Sequence, residues 1–235
     1  MIEWKNLTSD EIPTLDKRLP ILLPVGLIEA HGPHLALSVD FDTAEYFARR
    51  LAKDTGAILA PTLPYGFADE MAGYPGTIGL TADTAIAVFN DLVSHFCDHG
   101  FKNVILLSGH GANQFPFQIA LQRIWQKHPG AKVAYWNYWT EAGYTKIAHA
   151  DHGETEIALA VGTISHMDRV RDFRVTKPWY RVRSRSEMCP GTGGINGEPS
   201  KASRTEGEQV CDEIAQILAA KLRTIISVER GLPSK

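Results

Sequence analysis

The sequence predicts an α/β fold built on a mostly parallel sheet, and three observations predict it. Residues 20–28 and 101–107 are near-continuous apolar runs of strand length, the pattern of strands buried on both faces. Each run gives way to a polar or glycine-rich turn and then to residues spaced as one face of a helix. The acids and imidazoles crowd just beyond the carboxyl ends of these runs, where open α/β sheets place their ligands.

Residues 1–19 read as a peripheral start, with Trp4 and Leu15 packing on the first strand at 20–28. That strand opens into EAHGPHLALSVDFD, which sets Glu29, His31, His34, Asp40 and Asp42 close together. Asp42 with Glu45 three residues later has the form of a capping box, and Ala44, Phe47, Ala48 and Leu51 follow at helical spacing. Asp42 is therefore read as a helix cap rather than a ligand. A short buried strand is expected at 57–60. The stretch 61–80, rich in Gly and Pro and too long for a plain turn, is expected to wall a pocket. Thr81 opens a helix to about His99, whose apolar face is Ala85, Val88, Phe89, Leu92, Val93 and Phe96; His95 and His99 read as structural.

After the strand at 101–107 comes SGHGANQ and a helix carrying Phe117, Ala120, Leu121, Ile124 and Trp125. Glycines on both sides of His110 let the backbone turn tightly and bring the imidazole beside the first loop. The competing reading, a phosphate-binding turn, lacks both the P-loop and the full dinucleotide fingerprint. Residues 131–139 alternate as a strand, and Tyr135, Trp136, Tyr138 and Trp139 suit core or interface packing. The segment HADHGETEIALAV, 149–161, places two histidines, an aspartate and two glutamates at the start of a small-residue helix. Acids at a helix N-terminus need no function; the histidines are less easily explained. Arg181, Arg183 and Arg185 read as a solvated strand face, or as contacts to an anionic substrate group, and GTGGINGEP as a loop near the site or an oligomer contact. Ser203 and Glu206 cap the last helix, with Val210, Ile214, Ile217, Leu218 and Leu222 toward the sheet and Gly231 and Pro233 at its end.

Composition narrows the partners. The 235 residues suit one domain, 1–235, and 44% hydrophobic with 22% charged content is ordinary for a globular protein. A net charge of -3 gives no basic field for nucleic acid or anionic lipid, so a small-molecule substrate is expected. The three cysteines, Cys97, Cys189 and Cys211, are widely spaced and suggest neither a disulfide framework nor a thiolate metal site. With no signal-like start and no run of apolar residues long enough to span a bilayer, a cytoplasmic location and no membrane association are expected.

Glu29 and His31, two apart in extended backbone, point to the same side and can reach one ion; Asp40 can close the site from the far end of the loop. Oxygen and nitrogen donors without thiolate suit zinc, manganese or iron(II).

Five stretches carry a resemblance to the creatininase family: LPVGLIEAHGPHLALSVDFDTAE (23–45), YPGTIGLTADT (74–84), LLSGHGANQ (106–114), HGETEIALAV (152–161) and GINGEPSKASRTEGE (194–208). The resemblance implies a doubly wound α/β/α sandwich, two divalent metal ions per chain, and a homo-oligomer, a hexamer in relatives. Carried over residue by residue, it implies Glu29, His31, Asp40 and His110 as ligands, with Asp40 bridging. Creatininase has a glutamate two residues after the histidine matching His110, where this chain has Ala112, so creatinine itself is not the expected substrate. The missing ligand is then Glu156 or Glu154: Glu156 is assigned to metal and Glu154 to the catalytic groups. His152 is the candidate to protonate the leaving nitrogen. His34, Met71 and Asp151 are expected near the substrate, His34 also as a partner orienting a ligand.

The chemistry implied is cleavage of a cyclic or linear C–N amide bond in a small polar molecule by a metal-bridging hydroxide. The alternative is a metal-dependent isomerase or lyase acting on a keto-sugar or polyol through an enediolate; a non-catalytic binding module is a third reading.

Overall fold

The computed structural model describes residues 1–68, 70–145, 147–174 and 193–231. Five parallel strands form the sheet: β1 (Ile2–Glu3), β2 (Ile21–Val25), β3 (Ile58–Leu59), β4 (Asn103–Ser108) and β5 (Lys132–Asn137), in the order β1-β3-β2-β4-β5. Among the described residues, six α-helices flank it: α1 (Val39–Thr55), α2 (Ala82–Asp98), α3 (Gln114–Lys127), the single turn α4 (Tyr138–Glu141), α5 (His152–Val161) and α6 (Arg204–Glu229). The chain winds outward from β2 to β3, returns past β2 to β4, and winds on to β5, so the order reverses between β2 and β4. That switch point opens a crevice at their carboxyl ends.

Both faces of the sheet are covered, which is why the strands read as apolar runs. The period of two sorts them. Leu22, Leu59, Ile105 and Leu107 meet Phe47 and Leu51 of α1, Ile157 of α5 and Ile214 and Leu218 of α6. Ile21, Leu23, Val25 and Leu106 meet Phe89 and Val93 of α2 and Phe117 and Ile124 of α3. Each such side chain stabilises the fold by about 1.5–3 kcal/mol of transfer free energy.

Several element boundaries move from their expected places. The peripheral start contributes an edge strand, β1, too short to show alternation. Helix α1 starts at Val39, with Ser38 at the N-cap position, so Asp40 and Asp42 lie in its first turn rather than before it; Asp42 accepts hydrogen bonds from Ser38 Oγ at 2.8 Å and Thr163 Oγ1 at 2.9 Å. Strand β5 stops at Asn137, whose side chain caps α4 by accepting from Thr140 N. Tyr138 is thereby buried against Phe47, with ring centroids 4.5 Å apart. Trp125, expected on the buried face of α3, is 41% exposed. The capping residues Thr81 and Ser203 hold as expected. No helix among the described residues is long and apolar enough to cross a membrane.

Candidate metal centre

Four segments converge at the crevice. Beyond β2 the chain is held extended, Glu29 N donating to Leu37 O and Ala30 N to Thr77 Oγ1, so that Glu29 and His31 share a side. His31 Nδ1 lies 3.1 Å from Glu29 O, which fixes the ring and aims Nε2 inward. The first turn of α1 supplies Asp40. It sits close because Gly109 and Gly26 have no side chains: a Cβ on Gly109 would lie 2.0 Å from Asp40 O, and one on Gly26 2.5 Å from the Phe41 backbone. The turn after β4 supplies His110, and the first turn of α5 supplies Glu154.

The distances define the centre. Asp40 Oδ1 is 3.3 Å from His31 Nε2, and Asp40 Oδ2 is 3.3 Å from His110 Nδ1. His31 Nε2 is also 3.5 Å from Glu154 Oε2, and His110 Nδ1 is 2.9 Å from Glu29 Oε2. All five side chains are buried. Among the described residues three donor groups result, Glu29–His31–His149, Glu29–Asp40–His110 and His31–Asp40–Glu154, each with one atom per residue within 4.8 Å of the others. Glu29 Oε1 and Oε2, His31 Nε2 and Asp40 Oδ2 have no well-formed hydrogen-bond partner. Buried, unsatisfied acceptors of this kind cost stability unless a cation meets them.

The electrostatics point the same way. Burial opposes charge on both imidazoles, yet Glu154 and Asp40 outweigh it at His31, and Glu29 and Asp40 at His110, holding both pKa values well above the ordinary range. Burial likewise works against ionised Asp40 and Glu154, but the facing histidines keep both carboxyls below their usual values. Three carboxylates against two imidazoles leave the cluster negative even with both rings protonated.

Above the cluster lies a cavity of about 210 Å³, walled by Met71, Ala112, Trp139, Ile147 and His149. Met71 is thus at the cavity, where it was expected. His149 was not among the expected site residues. Its side chain is 25% exposed, its Nε2 lies 2.8 Å from Ala30 O, and its Nδ1 faces Glu29 Oε1 at 3.8 Å and Glu154 Oε2 at 4.0 Å. His152, the residue expected to move the proton, is 55% exposed and lines a different depression with Tyr144 and Glu156. The cap explains the exchange. Asp151 accepts from Glu154 N at 3.0 Å and starts α5 at His152, so His152 and Glu156 turn outward while His149, before the turn, and Glu154, within it, face the crevice.

Glu156 accordingly stands apart from the cluster: its Oε1 accepts from Ser203 N at 3.3 Å. Burial, then a hydrogen bond with Glu206, raises its pKa. Asp151 is a cap rather than a cavity residue, its carboxyl raised by burial. His34 is fully buried, its Nε2 3.1 Å from Thr155 Oγ1; burial and then His31 push its pKa down to about 4. It supports the site without lining the cavity. The described part of the GTGGINGEP stretch, 193–199, does approach: Gly193 O accepts from Gly32 N, and Asn196 N donates to His149 O. Arg181, Arg183, Arg185 and Cys189 lie outside the described residues.

An α/β sheet with buried oxygen and nitrogen donors beneath a small cavity has the make-up of a metal-dependent hydrolase. The chain belongs to the creatininase family, whose model, described as creatinine amidohydrolase, matches residues 5–222. It is a hydrolase acting on carbon–nitrogen bonds. The creatinine amidohydrolase of Pseudomonas putida is 25% identical over 231 residues, covering 86% of this chain and 88% of that one. A mycofactocin precursor peptide peptidase of Mycolicibacterium smegmatis is 28% identical over 217 residues, covering 86% and 84%. A zinc–zinc form of a creatininase variant superposes with a TM-score of 0.85 at 25% identity over 94% of this chain and 96% of that one. The doubly wound, mostly parallel α/β architecture read from the sequence is that of these relatives.

Proposed function

We propose that this chain is a dinuclear metal-dependent amidohydrolase cleaving an amide bond, cyclic or linear, in a small polar substrate other than creatinine. The observation that carries the reading is Asp40, whose two oxygens face two different histidines, Oδ1 toward His31 and Oδ2 toward His110, so that one carboxylate links two fully buried donor groups. Glu29, Asp40 and His110 would hold one ion, and His31, Asp40 and Glu154 the other. The donor set suits zinc, manganese or iron. Two such ions, when bound, supply Lewis acidity: a water pKa lowered toward neutrality and a polarised carbonyl.

The chain's own residues do the rest. Glu154 takes the ligand place first assigned to Glu156, because its Oε2 faces His31 Nε2 at 3.5 Å whereas the Glu156 carboxylate accepts from Ser203 N away from the cluster. The Glu154 backbone N donates to Asp151 Oδ1, which starts the helix, and its carboxylate is held by Ala150 N, which donates to Oε2. Ala150 holds this position with a left-handed φ of 48°. His149 takes the proton-transfer place first assigned to His152. With its Nε2–H donated to Ala30 O, the lone pair of Nδ1 faces the site and can accept a proton and pass it to the leaving nitrogen. Trp139, Met71 and Ile147 form an apolar wall that orients the substrate and limits water. At Ala112 the wall offers no donor atom, which sets this pocket apart from the creatininase pattern.

The isomerase or lyase alternative finds no support among the relatives, which are hydrolases. We further propose a cytoplasmic protein with one domain over 1–235, assembling as a homo-oligomer; the exposed Phe115, Ile119 and Trp125 of α3 suit an interface better than the buried Trp136 and Tyr138. The deciding experiment is elemental analysis of protein purified without chelator, beside Asp40→Ala, followed by a screen of amides and lactams. Two ions per chain, lost in the variant together with turnover, are expected. No ion after incubation with zinc or manganese would overturn the proposal.

A further inference from the structure

We infer that Asn113, acting through Ser108, is a positioning residue that sets the affinity of the centre for metal; this rests on the reading of His110 as a ligand. Neither Ser108 nor Asn113 lines the cavity. Asn113 is fully buried and uses both ends of its amide. Oδ1 accepts from Phe67 N at 2.8 Å, while Nδ2 donates to Ser108 Oγ at 3.1 Å and lies 3.5 Å from Gly26 O. Three segments therefore meet on one side chain: the end of β2, the end of β4 and the 61–80 stretch that walls the cavity.

The link to His110 runs through the Ser108 hydroxyl. Ser108 Oγ donates to His110 O at 2.7 Å and accepts from His110 N at 3.1 Å, clamping both backbone polar groups of that residue. Because Asn113 donates to the same oxygen, the hydroxyl proton is left to point at His110 O. Tyr135 OH adds a second donor to that carbonyl at 2.9 Å. The imidazole of His110 is thus aimed by its backbone, and its backbone is aimed by Ser108 and Asn113.

Only an amide satisfies this arrangement. A carboxylate at 113 keeps the acceptor for Phe67 N but turns an oxygen toward Ser108 Oγ and Gly26 O, with nothing to donate. The surroundings leave no slack for adjustment: a Cβ on Gly66 would stand 2.3 Å from Asn113 Oδ1 and 2.5 Å from Gly26 O. Gly66 thus permits the close backbone approach that Asn113 bridges, and Gly66→Ala is a steric way to displace the amide without removing any polar group.

The test titrates zinc into chelator-stripped protein, following bound metal and the zinc-induced rise in melting temperature for wild type, His110→Ala, Ser108→Ala, Asn113→Asp and Gly66→Ala. Asn113→Asp and Ser108→Ala are expected to weaken zinc binding about 10–100-fold, as loss of partners behind a metal ligand does elsewhere. The zinc-induced rise should shrink, and excess zinc should restore it. A purely structural role would instead lower the melting temperature of metal-free and zinc-loaded protein alike, with affinity unchanged, and would overturn the inference. Gly66→Ala should weaken zinc in the same way, which keeps the test open if Asn113→Asp does not fold. If His110→Ala loses an ion while the other variants bind zinc like wild type, the positioning role is wrong. If His110→Ala itself keeps two ions at wild-type affinity, the ligand reading has failed and the inference falls with it.

Discussion

Replacing Asp40 by asparagine keeps the shape of the side chain and removes the one carboxylate common to the two proposed ion sites, Glu29–Asp40–His110 and His31–Asp40–Glu154. The size of the effect follows from linkage. At a metal concentration about 100-fold above Kd, one occupied site stabilises the native state by about 2.7 kcal/mol. In a chain of this length about 1 kcal/mol moves the melting temperature by roughly 2–4 °C, so each ion is expected to raise it by about 5–11 °C. Asp40→Asn belongs to both groups and should lose nearly the whole rise for two ions. Glu154→Gln alters only one group, leaves Glu29, Asp40 and His110 in place, and should lose about half. The assay is thermal unfolding in chelator and in graded zinc or manganese, with bound metal counted in parallel. An Asp40→Asn protein that still takes up two ions with the wild-type rise would refute the bridging role.

Other expectations address different parts of the molecule. His149→Gln should lower kcat on whichever amide is turned over by about 10²–10⁴-fold while both ions remain, checked by steady-state kinetics beside metal analysis. His152→Ala, on the exposed side of the same helix start, should change activity by less than about twofold in the same assay. Phe47→Ala removes a fully buried ring stacked on Tyr138 and should cost about 3–5 kcal/mol, read from urea unfolding midpoints. Burial pushes the Cys211 thiol up to about 12, so it should resist alkylation at pH 8 in folded protein and react once unfolded, followed by mass spectrometry.

The parallel sheet was legible because its central strands are buried on both faces and so leave uninterrupted apolar runs. Strand β1 was not, because two residues on an edge leave no pattern. Glu29, His31, Asp40 and His110 stood out because each sits where an apolar strand or its following loop turns polar, and they prove to share one cluster. The 149–156 segment was harder. It offers two histidines and two glutamates within one helical turn and its approach, and residue type does not say which pair faces inward. The start of α5 decides that, and the start is set by one hydrogen bond from Glu154 N to Asp151, a contact visible only in three dimensions. Asp40 raised the same difficulty in milder form: Asp42 has the better capping pattern, but Ser38 begins the helix earlier and carries Asp40 into the first turn.

The contact between Gly109 and the first turn of α1 has a bearing on cofactor identity. Backbone packed against backbone fixes the separation of Asp40 and His110 more stiffly than flexible side chains could, before any ion arrives. A pair of sites whose spacing is set this way accepts ions of similar radius without remodelling and discriminates little among them. On the proposed reading, zinc and manganese are expected to enter with the same Asp40–His110 separation, which X-ray absorption spectroscopy of each loaded form would check.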